Sequence, residues 1–391
     1  MSVITSIVCR KVLNSHVLFT NEFIVEFEDG STGIGASPQG ETISIYEDKK
    51  VSIDSDAIIA RIKKDGVLGS ELDQSEFDKY LQSQISYFGR NNAYGLSEAF
   101  FNAEAKTKSV FELFGKPKDK LSAPRISLNI LNGGWHAYTN PVLSDFSEFM
   151  LVAKSNDVLE VVAEHNEIQR VVREKQLTQT KAVVSGNPVN CFSTRDNREV
   201  IDFLLKIVSD LGYSDKYELM IDASAGDLWK DDAYRLEITD GKAYSSDEFI
   251  AYWMDLIKNY KLRFLEDPFH EKDLASWRTL NTSQNDSYVI GDNLYSSDES
   301  RIMEGANKQY ANGAVIKPNQ AGTVTAICSS LEAALKTDQI AITSHRSIST
   351  ESTFISLLTC MLGAQYIKIG PLLTDYSAIV RLNEIIRLTE V

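Results

Sequence analysis

In KLRFLEDPFH, residues 261–270, an apolar run ends on Glu266 and Asp267, and Pro268 stops it. Proline fixes φ and removes a backbone donor, so a strand here closes at the two acids. One acid after a strand is ordinarily a turn or helix-capping residue. The arrangement recurs, however. YELMID ends on Asp222, YVIGDN reaches Asp292, GAVIKPN carries Lys317, IAITSH ends on His345 just before Arg346, and YIKIG carries Lys368. From Glu266 onward these positions follow one another at about 25 residues, the length of one strand plus one helix. The intervening stretches, such as DEFIAYWMDLIKNY, TVTAICSSLEAALK and STFISLLTCMLGA, have the apolar spacing of amphipathic helices. Strands alternating with helices predict parallel βα units. With two earlier apolar runs, RISLNIL and EFMLVA, the strands number eight, and the economical architecture is an α/β fold with a β/α barrel over residues 121–391.

The part before the barrel reads differently. SIVCRKVLNSHVLFTNEFIVEFEDGSTGIGAS alternates like a β-meander and contains an Asp29-Gly30 turn. Residues 54–113 have a helical pattern, strongest in NAYGLSEAFFNAEAKTKSVFELFG. Residues 1–120 are therefore expected to form an α+β capping domain, with the boundary near the Gly-Lys-Pro-Lys stretch at 115–118.

Composition narrows the functional classes. A net charge of −15 and a pI near 4.9 argue against a nucleic-acid surface, which needs a basic footprint. They leave room for an anionic substrate, because a local cluster of Lys and Arg works inside an acidic shell. Cysteines 9, 191, 328 and 360 have no paired spacing and read as reduced packing residues. The N-terminal MSVITSIVCRKVL lacks the pattern of a secretory signal, and no apolar run reaches membrane-spanning length. The expectation is a cytoplasmic protein with no membrane partner.

In a β/α barrel the C-terminal strand ends line one mouth. Asp222, Glu266 and Asp292 would converge there and repel one another unless a cation intervened. Oxygen-only ligation favours a hard ion such as Mg²⁺. Lys317, after an apolar run and beside other cations, has the setting that makes a base of a lysine. The plainer alternative is an ion pair with Asp292 that keeps it charged. Arg346 and Ser347 in TSHRS suit an anion clamp, and Lys368 suits a substrate carboxylate. Metal, base and cations together describe removal of a proton next to a carboxylate.

Several longer motifs then carry a resemblance. NILNGGWHA is similar to N-V-x-N-G-G-S-H-A of the enolase (phosphopyruvate hydratase) family, FSEFM to Q-E-F-M, and FLEDPF to I-E-D-P-F. YVIGDN resembles V-G-D-D, VIKPNQAGT resembles L-K-x-N-Q-I-G-T, and TSHRS resembles S-H-R-S-G-E-T. The resemblance implies an enolase-type β/α barrel with an N-terminal α+β cap, Mg²⁺ on Asp222, Glu266 and Asp292, and Lys317 as the base. That base-and-metal pairing is a recognised pattern of enolase-superfamily sites. It further implies phosphate contacts from Arg346 and Ser347, a carboxylate contact from Lys368, and His136, Glu148 and His345 among the catalytic polar groups. SPQGETIS resembles the P-S-G-A-S-T-G loop that closes over substrate, with Thr42 at a metal-binding serine. A small phosphorylated carboxylate as substrate and a homodimer are likewise implied.

The departures fall on one half of the reaction. The G-D-E-G-G-F loop of the family corresponds to VVSGNPVNCF, with Asn187 at the acid's position, and no Asp or Glu lies between Glu174 and Asp196. Asparagine hydrogen-bonds a hydroxyl but does not protonate it. Trp135 replaces a serine, Ser147 a glutamine and Asn293 an aspartate, while Ile348 and Ser349 replace a glycine and a glutamate. Three functions are compatible with this pattern. One is an enolase-like hydro-lyase interconverting 2-phosphoglycerate and phosphoenolpyruvate. Another is a relative acting on a different phosphorylated or phosphonylated acid, as carboxyphosphonoenolpyruvate synthases do. The last is a non-catalytic paralogue that acts by binding.

Overall fold

In the computed structural model, residues 1–40, 44–47, 54–134, 139–140, 144–175, 183–184, 187–188, 194–372 and 375–390 are described, the backbone alone for 139–140, 183–184 and 187–188. Thr42, Trp135, His136 and the side chain of Asn187 thus lie outside the described residues.

The chain opens with an antiparallel sheet of β1 (Ser2–Leu13), β2 (Phe19–Phe27), β3 (Thr32–Ala36) and β4 (Glu71–Leu72), in the order β3-β2-β1-β4. Its inward positions are Ile4, Ile7, Phe23, Val25 and Phe27; in β2 they fall on every second residue, as the period of a strand requires, while a register shift between Ile4 and Ser6 sets the two isoleucines of β1 three apart. The Asp29-Gly30 turn joins β2 to β3, with Gly30 at φ 82°. Helix Arg90–Glu104 lies directly on the sheet. The approach is so close that a Cβ on Gly35 would stand 2.1 Å from the Gly95 carbonyl oxygen.

The barrel strands are β5 (Arg125–Asn132), β6 (Glu148–Ala153), β7 (Tyr217–Asp222), β8 (Phe264–Glu266), β9 (Tyr288–Gly291), β10 (Gly313–Ile316), β11 (Ile340–Ser344) and β12 (Tyr366–Lys368). They close in the order β7-β8-β9-β10-β11-β12-β5-β6. Seven of these strands run the same way, but β6 is antiparallel to both neighbours, so the barrel is mixed where uniform βα units would have made it parallel. Reversal puts the start of β6 at the mouth. Glu148, its first residue, pairs in register with Asn132 and Asp222, the last residues of β5 and β7.

Inside the barrel Met150, Val152, Met220, Phe264, Ile290, Val315, Ile342 and Tyr366 fill the lumen below the mouth. A larger apolar cluster lies between the strands and the surrounding helices. Among the described residues no helix is long and apolar enough to cross a membrane.

Cap and barrel are joined by hydrogen bonds at buried positions. Asp78 Oδ2 accepts from the Thr325 amide at 2.8 Å and Ser97 Oγ from the Val324 amide at 2.8 Å, so cap side chains satisfy free amides at the start of helix Val324–Lys336. The loop after β11 is held from two further directions. The Ser15 amide donates to the Ser349 carbonyl at 2.8 Å, and Gln39 and Ile348 exchange backbone bonds of 2.9 and 3.1 Å.

Candidate active site

The turn after β8 explains how FLEDPF is built. Asp267 stands in the left-handed region at φ 45°, and its carboxylate accepts from the amides of Asp292 at 3.0 Å and Asn293 at 2.9 Å. It thereby ties the end of β8 to the end of β9. Glu266, one residue earlier, points into the barrel mouth and is fully buried. Asp222 lies beside it, paired in register across β7 and β8. Ser224 donates to Asp222 Oδ1 through its amide at 3.1 Å and its hydroxyl at 2.9 Å.

Lys368 rises from the opposite side into these acids. Its ammonium is 2.7 Å from Glu266 Oε2, 3.2 Å from Asp222 Oδ2 and 3.3 Å from Glu148 Oε2. Burial alone would drive a lysine toward its neutral form. Here Glu266, Glu148 and Asp222 outweigh it and hold the Lys368 pKa well above the ordinary value. Burial, then the charge of Asp222, push Glu266 upward, and Lys368 opposes them. Asn129 fixes the other oxygen of Glu148, donating to Oε1 at 2.7 Å. Lys317 is bonded to Asp292 Oδ2. The ion pair with Asp292, left open by the sequence, is therefore present. His345 is half-buried, with Nδ1 2.8 Å from the Arg346 carbonyl oxygen. Burial, then Arg381 and Lys368, press its pKa well down, so its ring is neutral. The ring packs against the chain at Gly370, where a Cβ would come within 2.7 Å of His345 Cε1.

Asp222, Glu266, Asp292, Glu148, Lys317 and Lys368 thus meet at one end of the barrel. Residues 120–391 match the family model described as enolase, C-terminal TIM barrel domain. The chain belongs to the enolase family. Its members are typically Mg²⁺-dependent, and the mouth can be tested for such an ion. Its donors are all carboxylate oxygens, the chemistry a hard cation prefers. Glu266 Oε1 and Asp292 Oδ1 are buried and have no hydrogen-bond partner among the described residues. Such atoms are costly unless something pairs with them. On these grounds the residues fit Mg²⁺. Among the described residues, though, no three acidic, histidine or cysteine side chains form a ready cage. The Lys368 ammonium stands between the acids instead.

Arg346 is buried as well, and its guanidinium meets Glu47, 3.2 Å from Oε2. Several contributors were not read from the sequence. Glu47 lies 299 residues from its partner in a polar stretch with no distinguishing pattern. Asn129 sits within an apolar strand opposite Met150, and only the folded barrel brings its amide to Glu148. Of the residues named from sequence, Thr42 and His136, with the side chain of Asn187, fall outside the described part.

Proposed function

We propose that this enolase-family protein is a Mg²⁺-dependent carbon–oxygen lyase that removes the proton α to a carboxylate from a small phosphorylated acid, 2-phosphoglycerate or a close analogue. In this reading residues 1–120 cap a catalytic unit of residues 121–391. The observation that carries it is the convergence of Asp222, Glu266 and Asp292 at one mouth, where Glu266 Oε1 and Asp292 Oδ1 are buried without a hydrogen-bond partner among the described residues. Asp222, Glu266 and Asp292 would hold the ion, which when bound supplies positive charge for the enediolate dianion. Lys317 takes the proton from the α carbon. Lys368 faces the substrate carboxylate, and Arg346 with Ser347 binds the phosphate. Glu148, anchored by Asn129, and the neutral His345 complete the polar lining.

The acid-free stretch between Glu174 and Asp196 favours a second reading, in which the same proton abstraction serves another phosphorylated or phosphonylated acid. One experiment separates the two. The protein is incubated with 2-phosphoglycerate and Mg²⁺ in D₂O while the C2 proton and the product are followed by NMR. Formation of phosphoenolpyruvate supports the first reading, and exchange without product the second. Lys317→Ala should abolish either signal. Absence of exchange with every phosphorylated or phosphonylated acid tried would overturn both.

A further inference from the structure

The anion clamp already holds an anion. Glu47 Oε2 lies 3.2 Å from Arg346 Nη2, and the two side chains are 10% and 3% exposed. The other carboxylate oxygen accepts from Gln320 Nε2 at 3.0 Å and from the Ser44 amide at 3.3 Å. Around it the short segment 44–47 is fastened to the barrel by side chains. Ser44 Oγ is bonded to Ser296 Oγ, and the Tyr46 ring lies 4.5 Å from the Arg301 guanidinium. The main chain at Arg346 is fixed too, its carbonyl held by His345 Nδ1 and by Ser349 Oγ.

We propose that Glu47 is a built-in competitor for the anionic group of the substrate, so that an anion reaching Arg346 displaces the Glu47 carboxylate and releases segment 44–47 from the barrel. The proposal rests on the reading of Arg346 as the substrate's anion clamp. Two carboxylate- or phosphate-type anions on one buried guanidinium repel strongly, because little water screens them. Binding of the anion and docking of Glu47 are then negatively linked, each weakening the other by the same factor. Glu47 is accordingly a positioning residue that acts through Arg346. It sets the affinity for the anionic group and couples that group to the cap.

The test uses inorganic phosphate and the full chain. Glu47→Gln keeps an oxygen acceptor for Gln320 and Ser44 but removes the charge. Titration calorimetry should show phosphate binding about tenfold tighter to this variant than to the native protein, the scale of a typical coupling between sites. Equal or weaker binding would overturn the proposal. If neither protein binds phosphate, the assignment of Arg346 itself fails, and the proposal falls with it. A second measurement needs no variant. The Tyr46 amide donates to Ser44 Oγ at 3.0 Å and the Glu47 amide to the Ser44 carbonyl at 3.1 Å. Phosphate should accelerate hydrogen exchange at these two amides in the native protein. Slower exchange would mean that the anion fastens the segment, which contradicts displacement.

Discussion

Replacing Glu98 by glutamine should flatten the pH dependence of stability across the range in which this carboxyl titrates. Glu98 lies in the cap helix Arg90–Glu104 and is fully buried. Its Oε1 is bonded to Ser352 Oγ, and its Oε2 has no partner among the described residues. Burial pushes its carboxyl from 4.5 up to about 7, against the opposing bonds from Ser352 and the Ala36 backbone. The protonated form is therefore favoured in the folded state. Its contribution to stability is fully present below about pH 4.5, declines as pH rises, and is lost above about 7. At ~1.4 kcal/mol per pH unit the difference amounts to roughly 3 kcal/mol. Asp78, raised to about 6 by burial, slopes in the same sense, so the quantity to compare is native minus variant. Urea unfolding from about pH 5 to about pH 8 should show the variant gaining ~2.5 kcal/mol relative to the native protein. Parallel profiles would refute the reasoning, because they would mean that Glu98 titrates alike in the folded and unfolded chain.

The mouth and the cap give two further expectations. Lys368→Met leaves Glu266, Asp222 and Glu148 without their shared cation, which should cost about 3–5 kcal/mol in chelator. Mg²⁺ should restore much of that loss, as judged by thermal midpoints with and without the ion. Gly35→Ala places a methyl 2.1 Å from the Gly95 carbonyl and 2.5 Å from the Ala99 amide nitrogen. The helix must then lift from the sheet, and urea midpoints should fall by an amount equivalent to about 1–3 kcal/mol.

Much of the barrel was legible because its strand ends are punctuated. Pro268 after Glu266-Asp267 and Pro318 after Lys317 mark where runs stop, and the regular interval between them indicates the repeat. The reversal of β6 was not legible, since EFMLVA has the same apolar character whichever way it runs. The β-meander and its Asp29-Gly30 turn could be read locally, because a tight turn leaves its own signature. Partnerships across the mouth could not. A lysine at a strand end reveals its charge but not its neighbours, so Lys368 gave no sign that it would stand among three acids. Glu47 was silent for the same reason: its significance comes from Arg346, which only the folded chain brings near.

The bonds that Ser15, Gln39 and Glu98 make to Ser349, Ile348 and Ser352 bear on how this protein could be cut or recombined. A fragment beginning at residue 120 would retain every barrel strand, yet the loop that carries Arg346 would lose the outside supports that fix its path. Exchanging the first 120 residues for those of a relative would likewise transplant a different set of supports onto an unchanged loop. Chimaeras that respect the barrel but ignore positions 15, 39 and 98 should therefore fold with the acids in place and the arginine misdirected. The practical unit for engineering the loop that carries Arg346 is the whole chain.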